Sequence, residues 1–543
     1  MRKLFVVLLL LFTGMAQAHA QPAGRRFVAV AFHDVIDQRG ELGPDSVSTD
    51  QLVAFFDWLA GSGWTVISLD DVAAAAKGGQ SLPEKAILLS FDDGYRSLYT
   101  RVFPLLKAYR FHAVAALVGS WMEGGANGTV DYGTAPVSRS NFITWGQARE
   151  MQTSGLVEIA SHSFDSHQGI LANPQGNLIS AIRTWRYDPA TASYETDAQY
   201  RGRVRRDLER SRAIIARELG RAPRAIVWPF GRVTGPALEE AKAAGFTFGL
   251  NLNQAPADAA HPLAIPRYFP TLNPGFGTMA ESLRFDLERP ETVRATCVEL
   301  DDLAMLSGAP QDERLGRLIE DLRTLGANKI IVETKARDGT AMRPDILSRA
   351  VWQLHSRVPA EVYLRLASTA APAEISEMLR RAAADGVVVD LPQVSGSRDA
   401  LDQGSVAAQR DAVDSATLDP PARAALLAYR AAARIDPLLR LIVAMPGIGG
   451  PPGWADYALI SPARDAKGTE AQARDLRADG WLRPDLAGRA VLTLPMEQGA
   501  QVDALRRAQR QGAAGFALCP EVPLPSSRAL ATSFSSSTYP YRP

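Results

Sequence analysis

The chain has 543 residues, 46% hydrophobic and 22% charged, an ordinary globular composition that excludes an intrinsically disordered protein. Lys+Arg and Asp+Glu both number 59, so there is no basic excess of the kind a nucleic-acid binder carries, and a strongly charged polymer is not expected as the main ligand. Histidines number seven and cysteines two, so any histidine cluster carries weight and a disulfide scaffold is ruled out.

The N-terminus predicts a secretory signal peptide over residues 1–20. Arg2 and Lys3 precede the apolar run Leu4–Phe12, and Ala16-Gln17-Ala18 and Ala18-His19-Ala20 both fit a small-x-small cleavage site. Export from the cytoplasm is the expectation that follows. No cysteine follows the apolar run, and no later stretch reaches 18 consecutive apolar residues. No lipid or membrane anchor is therefore expected.

From residue 25 short β-rich runs alternate with helical patterns. Strands are expected at Phe27–Phe32, Thr65–Ser68, Ala86–Phe91, Ala113–Val118, Val157–Ala160, Ala225–Trp228, Phe246–Leu250 and Ala264–Tyr268. Helical patterns such as Gln51–Ala60 and Val204–Leu219 lie between them. Such alternation implies an α/β fold with parallel strands inside and helices outside, here an irregular (β/α) barrel over residues 21–275. Prolines and glycines then punctuate the chain, and 276–293 reads as a linker. Eight further strands, from Thr296–Leu300 to Gly515–Cys519, predict a second (β/α)8-like barrel over 294–524, followed by a Ser/Pro-rich tail over 525–543. Closure of that barrel would put Cys297 and Cys519 on neighbouring strands. Ladder geometry seldom suits a disulfide, so two buried free thiols are expected.

Four polar signatures stand where strands of the first half end, the face on which barrel enzymes gather their chemistry. They are Phe32-His33-Asp34, Ser90-Phe91-Asp92-Asp93-Gly94, the loop from Ser161 through His162 to His167, and Trp228-Pro229-Phe230-Gly231. His162 and His167 are five residues apart, a spacing that turns about 140° on a helix, so they belong on a loop where both rings can point inward. With one carboxylate they form an N/N/O set suited to a catalytic divalent metal. Neighbouring Asp92 and Asp93 point apart if extended, so one can ligate while the other acts as a base. Each signature alone also has a structural explanation, from an Asp-Asp-Gly turn to a pair of surface histidines. Their coincidence in one domain is what points to a site.

These motifs resemble those of the polysaccharide deacetylases, the NodB-homology or carbohydrate esterase family four domain, over roughly residues 25–270. Most members place the catalytic-acid histidine late in the chain, whereas here the suitable candidate, His33, is early and His261 lacks a strand-end setting. That arrangement is similar to the circularly permuted subgroup acting on poly-β-1,6-N-acetyl-D-glucosamine (PNAG) in biofilm formation. Phe142-Ile143-Thr144-Trp145 and Ile265-Pro266-Arg267 fit that subgroup too. The resemblance implies removal of N-acetyl groups from an exported N-acetylglucosamine polymer, with one divalent metal (Zn, Ni, Co or Fe) held by Asp93, His162 and His167. It implies Asp92 as base, His33 as acid, and a backbone N–H near Tyr95 for the oxyanion. It also implies an outer-membrane export porin as partner. Family members carry an arginine in the motif where Trp228-Pro229-Phe230 stands, and Arg267 could supply that role from another strand. Trp145, Trp228 and Phe230, with Tyr95 and Arg267, are candidates for binding substrate, the aromatic ones serving either as sugar-stacking walls or as core packing. Chitin oligomers, peptidoglycan and acetyl-xylan remain alternative substrates, and a non-catalytic glycan-binding scaffold an alternative function.

The second half resembles the glycoside-hydrolase-like domain of the same deacetylases. Glycoside cleavage needs two facing carboxylates, and Asp301, Asp302, Glu333 and Asp390 all lie near strand ends. Where family members carry an acidic cluster, the chain reads Val387-Val388-Val389-Asp390-Leu391-Pro392. The expectation is a barrel that binds glycan without cutting it.

Overall fold

In the computed structural model the described residues are 24–37, 42–124, 128–132, 135–253, 255–283, 292–367, 369–391, 410, 413–446, 452–479, 482, 489–495, 501–519 and 534. The expected signal peptide, and all of the expected tail except Phe534, lie outside them.

The first domain is built on seven parallel strands: β1 (Arg26–Phe32), β2 (Ala86–Phe91), β3 (Ala113–Leu117), β4 (Val157–Ser161), β5 (Ala225–Val227), β6 (Phe248–Asn251) and β7 (Ile265–Pro266), paired in that order. The strand expected at Thr65–Ser68 is the short branch Thr65–Val66 beside β2. Strands β1 and β2 are apolar almost throughout because both of their faces are covered. Val28, Val30, Phe32, Ile87, Leu89 and Phe91 meet the outer helices, while Phe27, Ala29, Ala86 and Leu88 face the barrel interior. The sheet nearly closes on itself. Tyr268, just past β7, donates its N–H to the Ala29 carbonyl and accepts from the Ala31 N–H, each at 2.8 Å.

The helices follow from spacing and caps. Leu52, Phe55, Phe56 and Leu59 form one buried face of the helix Thr49–Gly61. The helix Asp197–Leu219 begins two turns earlier than its apolar pattern suggests, because Thr196 and Gln199 form a capping box, and it ends at left-handed Gly220. The stretch 276–293, expected as a linker, opens with a helix, Phe276–Ser282. It packs on the helix 49–61, where the Phe276 N–H donates to Gln51 Oε1 at 3.0 Å.

The second domain is a closed eight-strand parallel barrel: β8 (Arg294–Val298), β9 (Lys329–Glu333), β10 (Glu361–Leu366), β11 (Gly386–Asp390), β12 (Arg440–Met445), β13 (Tyr457–Ile460), β14 (Ala490–Thr493) and β15 (Gly515–Leu518). The two barrels share a continuous apolar cluster in which Trp185, Tyr200 and Trp228 of the first meet the helices of the second. Buried Arg183 pairs with Asp436 at 3.0 Å across the seam.

The pairing β8–β15 runs Arg294↔Phe516, Ala295↔Ala517, Thr296↔Leu518. The next step in that register sets Cys297 opposite Cys519. The expectation of free thiols is overturned here: the two form a disulfide, with Cα atoms 4.5 Å apart. Cys519 lies one residue beyond β15, so its backbone is free of the ladder constraint that argued against a bond. The unreduced, denatured protein should therefore titrate with no free thiol. The Cys297→Ala/Cys519→Ala variant should lose roughly 2–5 kcal/mol in denaturant unfolding.

Candidate metal centre and active site

Every signature residue sits at the carboxyl end of its strand. In the turn after β2, Asp93 and Gly94 both take left-handed backbone, with φ of 69° and 71°. Gly94 has a second constraint, since a Cβ there would meet Leu117 Cδ2 at 2.7 Å. The turn aims the two aspartates in different directions, as expected, and both are buried.

Asp93 faces the histidines. Its Oδ1 lies 3.3 Å from Nε2 of His162 and 3.3 Å from Nε2 of His167. The nitrogen and oxygen ligand atoms of the three residues all lie within 4.8 Å of one another. His162 Nδ1 is 2.7 Å from the Val227 carbonyl oxygen. A carbonyl can only accept, so Nδ1 carries the proton and Nε2 presents its lone pair to the centre. Burial pushes the His167 imidazole down to about 4, which keeps that ring neutral and able to ligate. The loop that carries both histidines is held by Asp207, which accepts the N–H groups of Phe164 (2.9 Å) and Asp165 (2.8 Å). Asp93 Oδ1 is a buried oxygen without a hydrogen-bond partner, an arrangement that is costly unless a cation completes it. Two imidazole nitrogens and one carboxylate oxygen around that atom fit a divalent metal.

Asp92 faces the other way, into the barrel mouth. Arg267, fully buried on β7, donates to both of its oxygens, at 2.7 and 2.9 Å, and also to Ser90 Oγ at 2.9 Å. Burial works to raise the Asp92 carboxyl, but the Arg267 charge, with the His162 and His33 rings, outweighs it and holds the group below the usual carboxylate range. Arg267 is thus shut away from substrate; it holds Asp92, as the missing motif arginine would. His33 follows β1, lies against Phe269 with ring centroids 4.6 Å apart and planes tilted by 43°, and has a buried Nδ1 without a partner. His261, the late alternative, is exposed.

The aromatic candidates separate. Phe230 is 48% exposed, has a φ of 58°, and covers His167 at 4.6 Å. Beside it, at the seam of the two domains, lies a cavity of about 420 Å³ lined by Arg232, Asn253, Glu361, Asp385 and Arg440 among others. Trp228 is 1% exposed and belongs to the inter-barrel core, so the wall reading fails for it. Trp145 packs half-buried against the outer apolar core of the first domain. Tyr95 is joined by a bridge to Phe142 and stacks on it at 5.3 Å.

Three neighbours carry no motif signal. Tyr132, on the hairpin Thr129–Tyr132/Ala135–Ser138, donates its hydroxyl to Asp93 Oδ2 at 2.6 Å. Trp121 meets His167 edge-on at 4.9 Å. Ser97 donates to Asp34 Oδ1 at 2.6 Å, so Asp34 is engaged away from the His33 ring.

In the second barrel the carboxylates do not form a free pair. Arg365 lies between Glu333 and Asp390, at 3.4 and 2.6 Å, and its single charge is shared by the two; burial pushes the Glu333 carboxyl up in spite of it. Asp301 accepts the Arg337 N–H at 3.0 Å, and exposed Asp302 pairs with Arg314 at 3.1 Å.

Residues 79–249 match the family model described as polysaccharide deacetylase. The domain belongs to the polysaccharide deacetylases. The chain is 34% identical over 351 residues to a poly-beta-1,6-N-acetyl-D-glucosamine N-deacetylase of Escherichia coli (strain K12), a match covering 62% of this chain and 52% of that protein. The chain thus spans about half the length of the curated relatives it matches first. Among solved structures it is similar to a de-N-acetylase from Aggregatibacter actinomycetemcomitans, at 36% identity over 48% of this chain and 100% of that one, with a TM-score of 0.45. It is also similar to the BpsB deacetylase domain from Bordetella bronchiseptica, at 38% identity over 45% and 95%, with a TM-score of 0.41.

Arg267→Ala should strand the buried Asp92 charge and lower stability by about 3–5 kcal/mol in urea unfolding. Arg267→Lys should keep most of that stability but lose the two-pronged grip, and turnover should fall more than stability does.

Proposed function

We propose that the protein hydrolyses N-acetyl groups from a β-1,6-linked N-acetylglucosamine polymer. The observation that carries this reading is the buried Asp93–His162–His167 group beside an Asp92 carboxylate that Arg267 keeps charged. Asp93, His162 and His167 would hold one divalent ion, which when bound polarises the amide carbonyl and lowers the pKa of a water. Asp92 takes a proton from the attacking water, and burial behind Arg267 fixes its position while that happens. His33 gives a proton to the departing sugar amine; its ring packs against Phe269. Phe230, exposed at the edge of the centre, offers a face on which a sugar ring can stack.

The polymer is assigned by likeness to relatives named for that substrate, together with the early position of His33. Export to the periplasm and delivery of the product to an outer-membrane porin belong to the same proposal. The Cys297–Cys519 disulfide supports an oxidising compartment. No helix among the described residues is long and apolar enough to cross a membrane. In the second barrel the Arg365 bridge supports binding of the glycan over its cleavage.

Mass spectrometry of β-1,6-linked N-acetylglucosamine, chitin and peptidoglycan oligomers after incubation with metal-loaded protein tests the substrate. Acetyl loss confined to the β-1,6 series is expected, and loss only from chitin or peptidoglycan would reassign it. His162→Ala should lose most bound metal together with activity. Asp92→Asn should retain metal while turnover drops by roughly 10²–10⁴-fold. His33→Ala should behave like Asp92→Asn, and His261→Ala like wild type; the reverse result would return the acid role to His261.

A further inference from the structure

The metal-ligating carboxylate has two oxygens, and the centre uses one. Asp93 Oδ1 faces both imidazole Nε2 atoms at 3.3 Å. Its Oδ2 is held from the opposite side by the Tyr132 hydroxyl at 2.6 Å. That length falls in the range of strong, charge-assisted O–H···O⁻ bonds. A carboxylate free to turn about its terminal torsion could offer either oxygen, or both together, to a cation. With Oδ2 engaged, Oδ1 alone is left to ligate.

The tyrosine ring contributes as well. It lies near parallel to His167, with centroids 5.9 Å apart and planes at 27°. Trp121 closes the edge of the same imidazole, and Tyr132 and Trp121 are themselves 5.2 Å apart. One side chain therefore reaches two of the three ligands.

The hairpin that delivers it is anchored at both ends. Val130 pairs with Val137 and is buried in an apolar cluster with Trp121 and Phe142. On the entry side, Gly119 and Ser120 donate their N–H groups to the Ser163 and Phe164 carbonyls of the histidine loop, at 3.0 and 2.7 Å. On the exit side, buried Arg139 donates to the Ile143 carbonyl at 2.8 Å. The hairpin, the short helix Gly119–Glu123 and the histidine loop are thus joined by packing and hydrogen bonds.

We infer that Tyr132 is a positioning residue of the metal centre: its hydroxyl fixes Asp93 as a one-oxygen ligand and its ring holds His167 in plane. The inference rests on the metal-centre reading given above. Groups that orient metal ligands commonly cost 10–100-fold in metal affinity when removed.

The test uses the full chain, stripped of metal and titrated with Co²⁺ against a chromophoric chelator. Tyr132→Phe, which removes one oxygen and keeps the ring, should bind Co²⁺ about 10–100-fold more weakly than wild type, with an altered visible cobalt spectrum. The metal-free variant should still melt in one cooperative transition, lowered by about the few degrees that one lost hydrogen bond costs. Tyr132→Ala should weaken binding further, because the contact with His167 goes too. Wild-type affinity and spectrum in Tyr132→Phe would overturn the inference, and so would weakening seen only in Tyr132→Ala, which would reduce the residue to packing. His162→Ala separates the two levels. If it loses cobalt while Tyr132→Phe does not, the centre stands and the role of Tyr132 falls. If His162→Ala binds cobalt like wild type, the centre itself is misplaced and both fall.

Discussion

A carboxylate held charged at the mouth of a nearly closed barrel imposes the arrangement around it. Asp92 is shut off from bulk water, and an isolated buried charge would instead take up a proton. Arg267 prevents this by binding both oxygens, and it can do so only because β7 lies next to β1, across from β2. The two hydrogen bonds that Tyr268 makes with β1 therefore do more than seal the sheet. They bring the last strand of the domain over the turn that follows the second. The interior residues Ala29, Ala31 and Ala116 are small, which leaves room for the guanidinium in a layer that would otherwise be filled by Leu or Val.

Much of this was legible in the sequence. Strand-end motifs mark where chemistry gathers in a parallel barrel, and the scarcity of histidine made His162 and His167 conspicuous. The spacing of five excluded a shared helix face, and the structure puts both on one loop. Arg267 was legible only as a stand-in for an absent arginine, because nothing local shows that β7 reaches Asp92. Tyr132 was invisible for a related reason. It lies in a short hairpin without a periodic apolar pattern, and its partner Asp93 is 39 residues away. Trp228 misled in the opposite direction: an aromatic next to a Pro-Phe-Gly turn looks like a binding wall, yet the second barrel covers it. Burial imposed by another domain leaves no local trace. The cysteines show the same limit, since a strand-to-strand rule failed at a residue one step past the strand.

The two domains use one architecture in opposed ways. At the carboxyl end of the first barrel, polar groups are left incomplete: Asp93 Oδ1 and His33 Nδ1 are buried without partners. At the corresponding end of the second, Glu333 and Asp390 share one arginine, Arg365, and Asp301 has one oxygen engaged by a backbone N–H and the other buried without a partner. The first face gathers its unpaired atoms in one place, beside three groups able to ligate a cation. The second spreads its carboxylates among arginines, and no group of three ligating side chains forms there among the described residues.

The way the second barrel closes also has a consequence for how the chain can be made. Its first strand, at 294–298, finds its last neighbour only at 515–518. Until those residues leave the ribosome, β8 has one bare edge and β14 another, both apolar and both able to pair with a different chain. A chain interrupted between Val298 and Gly515 would leave an open seam in the barrel and Cys297 without its partner, free to couple to another molecule. Completion of this barrel thus rests on its closing strand, whose loss does harm out of proportion to the four residues it contains.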